Sequence, residues 1–451
     1  MKFVLLSTCI AVLASGGLGL PEAIASAQPT AIFHAFDHHY SEVEGFVCEL
    51  AEQGYSHLQI APAQKSHPSP NWWARYQPID YSVIEGQGSE ADLQQLIQTA
   101  HSCHLKVIAD VVLNHMANLP EFASLQFPQF SPADFNSRCE INYSDGDRTS
   151  ETDCWLGGLP DLDQTQQNVQ AIQQAYLQKL LDLGIDGFRL DAAKHIAAET
   201  IKTAYIDYID QASHGTTWNY LEVITDQDTR PEDYNWVAAV TDFVLYNTMR
   251  SAFSKGGDLR SLRWPAAIPD ARSVTFGRNH DTILALNDNA INPYDEPTDA
   301  HLATAYVLAR EQGTPLIFGQ DNRDIPYLSA GVKFRQVMRQ RGEVGSNIRE
   351  KVLTAIDSPT VLLMERGSEG FFVVNKSSAA FDTPILNLTL SQLEGCYREL
   401  RYGFGVAIER RNNHQKYVTR WDTWNRGGLA IQGRDALYFV RQPESQCTAA
   451  P

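Results

Sequence analysis

The sequence predicts an α/β fold: a closed (β/α)8 TIM barrel, with a small subdomain inserted after strand 3 and a C-terminal antiparallel β-sandwich domain. Short apolar, β-rich runs recur with helix-patterned segments between them. A polar stretch of about 50 residues interrupts the alternation after the third run, longer than ordinary loops. Beyond residue 350 the pattern changes to alternating strands. An open doubly wound sheet is the alternative, but no glycine-rich dinucleotide fingerprint follows the first strand.

Each element follows from these patterns. The eight predicted barrel strands are Ala31–Phe36, His57–Ala63, Lys106–Leu113, Gly187–Ala192, Asn219–Ile224, Ala239–Val244, Ser273–Asn279 and Pro315–Phe318. Apolar residues at helical spacing predict helices over Glu90–Ser102 and Thr165–Leu183. The alternating C-terminal segments are Thr360–Glu365, Gly370–Asn375 and Ala436–Val440. We therefore predict a barrel over 28–349 with an insert over about 116–163, and a β domain over 350–451.

Composition and the amino end limit the function. The net charge of −18, from 36 basic and 54 acidic residues, would repel nucleic acid and anionic membranes, so we expect neither as a partner. Residues 1–27 have a charged start, an apolar centre and small residues at Ala25 and Ala27, typical of a signal peptide cleaved before Gln28. The sequence therefore predicts a secreted, extracellular or periplasmic, monomeric protein.

Six cysteines remain after the predicted cleavage, and an even number in an oxidising compartment indicates disulfides. The pairing stays open from sequence alone. Position favours Cys48 with Cys103 on successive helices, Cys139 with Cys154 around one polar loop, and Cys396 with Cys447 near the end.

The segment GIDGFRLDAAKH, from Gly184 to His195, places Arg189 and Asp191 two residues apart on a predicted strand. Such residues project from the same face, so the guanidinium would keep the carboxylate ionised. Active sites of these barrels lie at the carboxyl ends of the strands. Strand three ends there with Asp110, Asn114 and His115.

Two further strands bring carboxyl groups to this rim. Glu222 lies in the fifth strand among apolar neighbours, which would raise its pKa, and Asp281 follows the seventh strand beside Asn279 and His280. An ionised carboxylate with a protonated one is the nucleophile and general acid pair of retaining glycoside hydrolysis.

The ordered motifs DVVLNH, LPDLD, GFRLDAAKH, LEVI and GRNHD make the mature chain resemble an α-amylase of the (β/α)8-barrel glycoside hydrolase clan, family 13 type. The segment WWARYQPIDY and the cysteine positions bring it nearest to the animal-like and actinobacterial branch.

The resemblance implies a role for each matching residue. Asp191 would be the nucleophile, Glu222 the acid and base, and Asp281 the residue that favours the distorted sugar. Substrate contacts would come from Trp72, Trp73, Tyr76, Gln77, His115, Arg189, Lys194, His195 and His280. The implied activity is endo-acting, retaining hydrolysis of α-1,4 bonds in starch, glycogen and maltooligosaccharides through a covalent glycosyl-aspartate.

The resemblance also implies a structural Ca²⁺ held by side chains of Asn114 and Asp161 and by backbone carbonyls of His195 and Thr152. Two departures from the family stand out. Leu316 occupies the position of a basic chloride ligand, so we expect no activating chloride and activity independent of added NaCl. The loop GRNHDTILALNDN lacks the glycine-rich run of the animal enzymes.

Two other functions remain open at this point. The same three carboxylates would serve an exo-acting, maltooligosaccharide-forming hydrolase or a transglycosylase, and product analysis distinguishes these from an endo-acting enzyme. A non-catalytic glucan-binding or adaptor protein is the alternative from another class. The intact set of Asp191, Glu222 and Asp281 argues against it.

Overall fold

A computed structural model describes residues 28–144, 146–285, 296–322, 325–383, 388, 390–411, 415–420 and 429–446. The predicted signal peptide, residues 1–27, lies outside this part, as do Cys447 and most of the loop after Asp281. No helix within these ranges combines the length and apolar character needed to cross a bilayer.

Eight parallel strands close into a barrel, which confirms the predicted fold. The first ten strands are β1 (Ile32–Ala35), β2 (His57–Ile60), β3 (Gln64–Ser66), β4 (Pro78–Ile84), β5 (Lys106–Val112), β6 (Gly187–Asp191), β7 (Tyr220–Leu221), β8 (Ala239–Thr241), β9 (Ser273–Thr275) and β10 (Thr314–Phe318). Neighbours around the barrel follow the order β1, β2, β5, β6, β7, β8, β9, β10 and back to β1. Strands β3 and β4 pair separately as an antiparallel hairpin.

Helices alternate with the barrel strands. They are α1 (Tyr40–Glu44), α2 (Val47–Gln53), α3 (Glu90–Ser102), α4 (Thr149–Asp153), α5 (Gln167–Leu183), α6 (Ala198–Thr200), α7 (Asp207–Ala212), α8 (Phe243–Phe253), α9 (Pro297–Ala309), α10 (Gly319–Asn322) and α11 (Pro326–Glu343). Ile201–Ile206 and Asp281–Ala285 form π-helical turns. Short 3-10 turns cover Trp72–Tyr76, Pro120–Phe122, Pro132–Asp134, Leu156–Gly158, Ala193–His195, Pro231–Asp233, Leu259–Arg263, Asp270–Arg272 and Glu444–Gln446.

Two glycines determine how the chain enters strand β6 of the barrel. Helix α5 ends at Gly184, whose φ of 104° is left-handed and suits glycine. Three residues later β6 begins with Gly187, where a Cβ would lie 2.0 Å from the Trp218 carbonyl oxygen. Only glycine therefore lets β6 approach this backbone closely. These constraints set the register of the strand that carries Arg189 and Asp191.

The segment between β5 and α5 forms the insert beside the barrel. A disulfide links Cys139 to Cys154 within it, and isolated bridges pair His115 with Asp161 and Phe135 with Leu162. The insert thus returns to the end of β5 at Asp161. A second disulfide links Cys48 in α2 to Cys103, which follows α3, and so joins two neighbouring helices. Cys396 is also disulfide-bonded, and its expected partner Cys447 lies outside the described residues.

The C-terminal strands form an antiparallel β domain, as predicted. They are β11 (Glu350–Val352), β12 (Val361–Arg366), β13 (Gly370–Asn375), β14 (Phe381–Thr383), β15 (Gly395–Glu399), β16 (Gly405–Arg411), β17 (Gln415–Arg420), β18 (Leu429–Ile431) and β19 (Asp435–Gln442). Seven strands form one sheet in the order β11, β12, β13, β19, β15, β16, β17, and β14 pairs with β18. Leu429 and Ile431 share an apolar core with Val373, Leu437 and Phe439, so the two sheets pack together.

Polar contacts join the β domain to the barrel helices. The Lys376 ammonium donates to the carbonyl oxygens of Ala252, Ser254 and Gly257 at 2.7, 2.9 and 2.6 Å, where α8 ends. A cation suits this end because the last carbonyls of a helix lack partners and carry partial negative charge. The Tyr438 hydroxyl donates to the Ala305 carbonyl in α9 at 3.0 Å.

Candidate active site

The guanidinium of Arg189 lies at the centre of a buried cluster of carboxyl groups. Its Nη1 contacts Asp110 at 2.6 and 2.7 Å and Asp191 Oδ1 at 2.8 Å, while Nη2 lies 2.6 Å from Glu222 Oε1. Asp110 and Arg189 are register partners on β5 and β6. The barrel therefore brings side chains distant in sequence onto one cation.

Glu222 and Asp281 enter this cluster from strand ends. Glu222 follows β7, and its Oε2 accepts a hydrogen bond from the Ala192 backbone N–H at 2.8 Å. Asp281 begins a π-helical turn beyond β9, 3.9 Å from Arg189 Nη2 and 3.2 Å from His280 Nε2. The structure thus places Asp191, Glu222 and Asp281 together at the rim where the sequence predicts them.

The protonation expected from the sequence is wrong for this pair of residues. Burial opposes charge on Glu222, but Arg189, a hydrogen bond from Asp281 and the Ala192 N–H outweigh it and lower its pKa to about 2. Burial raises the pKa of Asp191 well above its usual range. The negative charges of Glu222 and Asp110 add to this rise, whereas Arg189 opposes it. The residues adjacent to Glu222 in sequence are apolar, whereas the groups that contact its carboxylate in the fold are hydrogen-bond donors.

The pKa of Asp281 moves in the opposite direction to that of Glu222. Burial and the charge of Glu222 raise the pKa of Asp281 well above its usual range, and its side chain hydrogen-bonds to Glu222. Two close carboxyl groups share a proton in this way because both cannot ionise at low cost. Of these two carboxyl groups, Asp281 therefore holds a proton more tightly than Glu222 does.

Aromatic rings form one wall of the site. The imidazole of His280 stacks between Phe36 and Tyr76, with ring centroids 4.7 and 5.3 Å away and planes within 19° and 15°. Trp72 contacts Phe36, Tyr76 and His280 at 5.7–6.2 Å between centroids. The Tyr76 hydroxyl donates to Asp110 at 3.0 Å, and His115 Nε2 donates to the Tyr76 carbonyl at 2.9 Å. This wall is fixed directly to the carboxyl cluster.

Four other predicted contact residues lie further out. Trp73 packs its ring on His67, with centroids 4.9 Å apart, and does not join the Trp72 cluster. Gln77 Oε1 accepts from the Asn118 backbone N–H at 3.3 Å. Lys194 pairs with Asp226 at 2.5 Å and lies 4.5 Å from the Tyr143 ring centroid. His195 Nδ1 donates to the Glu151 carbonyl of the insert at 2.8 Å.

Two of the predicted metal ligands have unpaired side-chain oxygens. Asn114 Oδ1 and Asp161 Oδ1 are buried without hydrogen-bond partners among the described residues. Burial raises the pKa of Asp161 to about 8, although Asn136 donates to its other oxygen at 2.7 Å. Hard, unpaired oxygens of this kind suit a Ca²⁺ ion. Within the described ranges no three His, Cys, Asp or Glu side chains form a metal-binding group, so such an ion would depend on amide and carbonyl oxygens.

Sequence reasoning placed Asp110 at the rim but gave it no role. In the structure it accepts from Arg189 and Tyr76, and burial raises its pKa to about 6 against the pull of Arg189. Its position inside an apolar strand was the signal available for it, because a carboxylate buried there needs a partner. Phe36 and Tyr143 were also missed, because only the fold places them beside His280 and Lys194.

Comparisons with known proteins show which family this chain is similar to. The profile of the alpha amylase catalytic domain matches residues 50–250. An alpha-amylase of Aeromonas hydrophila is 34% identical over 339 residues, covering 65% of this chain and 71% of that protein. An alpha-amylase-related protein of Drosophila willistoni is 31% identical over 346 residues, covering 68% and 70%.

Solved structures share the fold at lower identity. Alpha-amylase I of Eisenia fetida, in a mutant form complexed with maltohexaose, superposes with a TM-score of 0.75 at 20% identity, covering 90% of this chain and 98% of that one. Alpha-amylase of Geobacillus thermoleovorans, complexed with acarbose, gives a TM-score of 0.67 at 19% identity, with 91% and 98% covered.

Proposed function

Because the chain belongs to the alpha-amylase family of glycoside hydrolases, which act on α-glucans, we propose that it is an endo-acting enzyme that cleaves α-1,4 bonds with retention of configuration. The carboxyl groups of Asp191, Glu222 and Asp281 around Arg189 are the observation that supports this proposal. The proposed substrates are starch, glycogen and maltooligosaccharides.

In the proposed mechanism Asp191 attacks the anomeric carbon and forms a glycosyl-aspartate as the bond to the leaving oxygen breaks. Glu222 protonates that oxygen, then takes a proton from the water that releases the sugar. The two inversions together retain configuration. Asp191 reacts as the carboxylate, the form that the hydrogen bond from Arg189 Nη1 at 2.8 Å favours. Glu222 reacts as the acid after it takes a proton from Asp281, whose side chain hydrogen-bonds to it.

The surrounding residues would hold the sugar for this attack. Tyr76 and Trp72 offer flat faces to the apolar side of the ring, while His115 and His280 offer ring nitrogens to its hydroxyls. Lys194, His195, Trp73 and Gln77 would contact neighbouring sugar units. Asp281 would bind hydroxyls of the distorted ring once its proton has passed to Glu222.

We also propose a structural Ca²⁺ ion held by Asn114, Asp161 and the backbone carbonyls of His195 and Thr152. The unpaired oxygens of Asn114 and Asp161 support this assignment. The ion would neutralise Asp161 and join the insert to the barrel beside the sugar-binding wall. It would supply structure and take no part in bond cleavage. The disulfides fit an oxidising compartment, so we further propose secretion after removal of residues 1–27.

The test compares wild type with Asp191→Asn and Glu222→Gln in an iodine–starch assay. Both variants should lose at least about a thousandfold in rate, since each removes a group that acts in the transition state. Glu232→Gln, which alters an exposed carboxylate beyond β7, is the matched control and should keep wild-type rates. Near-normal rates for either active-site variant would contradict the mechanism.

Two product measurements test the finer claims. Early NMR spectra of the products should show the α-anomer if configuration is retained. Iodine colour should fall well before reducing ends accumulate if cleavage is internal. Release of one short maltooligosaccharide would instead indicate an exo-acting enzyme, and longer products would indicate transglycosylation.

A further inference from the structure

A cavity of about 1100 Å³ lies between the barrel and the C-terminal β domain. Residues 263–265 and 267–269, Arg310 and Gln312 line it from the barrel, and residues 350–355, Leu388, Leu390 and Ser391 line it from the β domain. The barrel residues precede β9 and β10, whereas Asp191 and Glu222 lie at the carboxyl ends of their strands. The cavity is therefore separate from the carboxyl cluster.

Trp264 is the most exposed large apolar side chain at this cavity, with 83% of its surface accessible. Exposing an indole to this extent gives up a large hydrophobic gain, since burial of such a ring is strongly favourable. The Arg263 guanidinium lies 5.6 Å from its ring centroid. A flat aromatic face next to a fork of N–H donors is thus presented to whatever enters the cavity.

Polar groups with spare hydrogen-bonding capacity line the same cavity. Within the described residues, the side chains of Arg263, Gln312 and Thr354 make no hydrogen bond to protein, and Arg263 Nε is buried without a partner. A guanidinium, an amide and a hydroxyl together offer donors and acceptors, and the Glu350 carboxylate that also lines the cavity is paired with Arg310 at 3.3 Å. They match a neutral ligand that carries many hydroxyl groups.

We propose that this cavity is a second, non-catalytic α-glucan-binding site, with Trp264 as its stacking platform. This inference rests on the proposed function, because the ligand is taken to be the same polymer that the enzyme cleaves. A sugar ring has an apolar face for the indole and a rim of hydroxyls for the polar side chains. The volume accommodates several sugar units, being at the upper end of ligand pockets.

A second binding site raises the affinity of the enzyme for an insoluble polymer. Binding one stretch of glucan at the cavity raises the local concentration of other stretches near the carboxyl cluster. The gain applies to starch granules and long chains, and it vanishes for substrates too short to reach both sites. The cavity therefore predicts a difference between granular and short soluble substrates.

The test measures adsorption of the full chain to granular starch at low temperature, for wild type and Trp264→Ala. Adsorption affinity should fall by about tenfold, since an aromatic anchor commonly contributes that much at a binding site. Granule digestion should slow, while kcat/KM on a short maltooligosaccharide should stay at the wild-type value. Thermal unfolding should be unchanged because the indole packs little of its surface.

Two further variants sharpen the result. Trp264→Phe keeps a ring and should restore most of the adsorption, whereas Tyr402→Ala removes an exposed ring outside the cavity and should leave adsorption intact. Equal adsorption of wild type and Trp264→Ala would overturn the inference, as would equal loss in Tyr402→Ala. If wild type fails to cleave short soluble α-glucans, the proposed function fails instead, and adsorption still decides the cavity.

Discussion

Arg189 contacts Asp110, Asp191 and Glu222, so one cation is shared by several buried carboxyl groups. Each extra negative charge makes the ionisation of its neighbours harder, and burial strengthens this effect. The charge state of the site is therefore a property of the whole cluster. Asp110 belongs to that cluster although it lies one strand away from the proposed nucleophile.

Replacing Asp110 by Asn should shift the whole pH–activity profile toward acid. The variant removes a negative charge that helps to raise the pKa of Asp191, so the carboxyl groups ionise at lower pH. Both limbs of kcat/KM against pH should move down by about one unit. The measurement uses a soluble maltooligosaccharide over the full pH range.

Asp357→Asn is the control for that shift, because Asp357 is exposed in the β domain and far from Arg189 in the fold. Its profile should coincide with that of wild type. An alkaline shift of the pH–activity profile in Asp110→Asn would contradict the proposed electrostatic coupling between these carboxyl groups.

The sequence predicted the members of this site better than their protonation. Spacing on strands placed Arg189, Asp191, Glu222 and Asp281 at one rim, since strand periodicity and barrel topology fix direction. The Glu222 pKa depends on Arg189 Nη2 and the Ala192 N–H, which approach from the neighbouring strand. Contacts between side chains on neighbouring strands cannot be predicted from the residues adjacent in sequence.

At the scale of elements, the boundaries of helices and strands could be predicted only where the sequence carries a capping or pairing signal. Helix α3 matches its predicted range because Ser89 and Asp92 form a capping box before it. The fifth barrel strand was predicted over Asn219–Ile224 but pairs only at Tyr220–Leu221. Past Leu221 the Val223 N–H bonds to the Thr241 hydroxyl instead of a strand partner, which periodicity does not reveal.

The contact between the insert and β5 should depend on calcium and on pH. Burial raises the pKa of Asp161 to about 8, whereas an unfolded Asp ionises near pH 4. Without the ion, this group therefore costs stability progressively as the pH rises from about 4 to about 8. EDTA should lower Tm, and the fall should be larger at about pH 8 than at about pH 5.

Asp161→Asn tests the assignment of that effect to one residue. The variant should lose most of the EDTA response, while Glu121→Gln, an exposed site in the same insert, should keep it. Equal Tm values with and without EDTA in wild type at both pH values would contradict a structural calcium ion.

At the scale of the whole molecule, the β domain shares an apolar core with the barrel and also makes polar contacts at helix ends. Lys376 should be a main contributor, because it donates to three carbonyl oxygens where α8 ends. Lys376→Met removes the ammonium from all three carbonyls, of which Ser254 keeps the Gly257 N–H and Ala252 is buried, and should cost about 2–4 kcal/mol. Denaturant unfolding measures the loss, and Lys333→Met, at an exposed position of α11, should change the free energy of unfolding little.

A Lys376→Met variant as stable as wild type would mean that water replaces the ammonium at no cost. Little of this junction was visible in the sequence. Alternating strands predicted the β domain, but a single lysine after β13 gives no sign that it reaches a helix end distant along the chain.

Both disulfides that the structure describes join a cysteine to the next one along the chain, Cys48 to Cys103 and Cys139 to Cys154. A polypeptide that emerges amino end first can therefore oxidise each pair as soon as its second thiol appears. Neither bond has to wait for distal segments, and neither needs to be exchanged for another later. Covalent closure around α2 and α3, and then of the insert, can thus precede completion of the barrel.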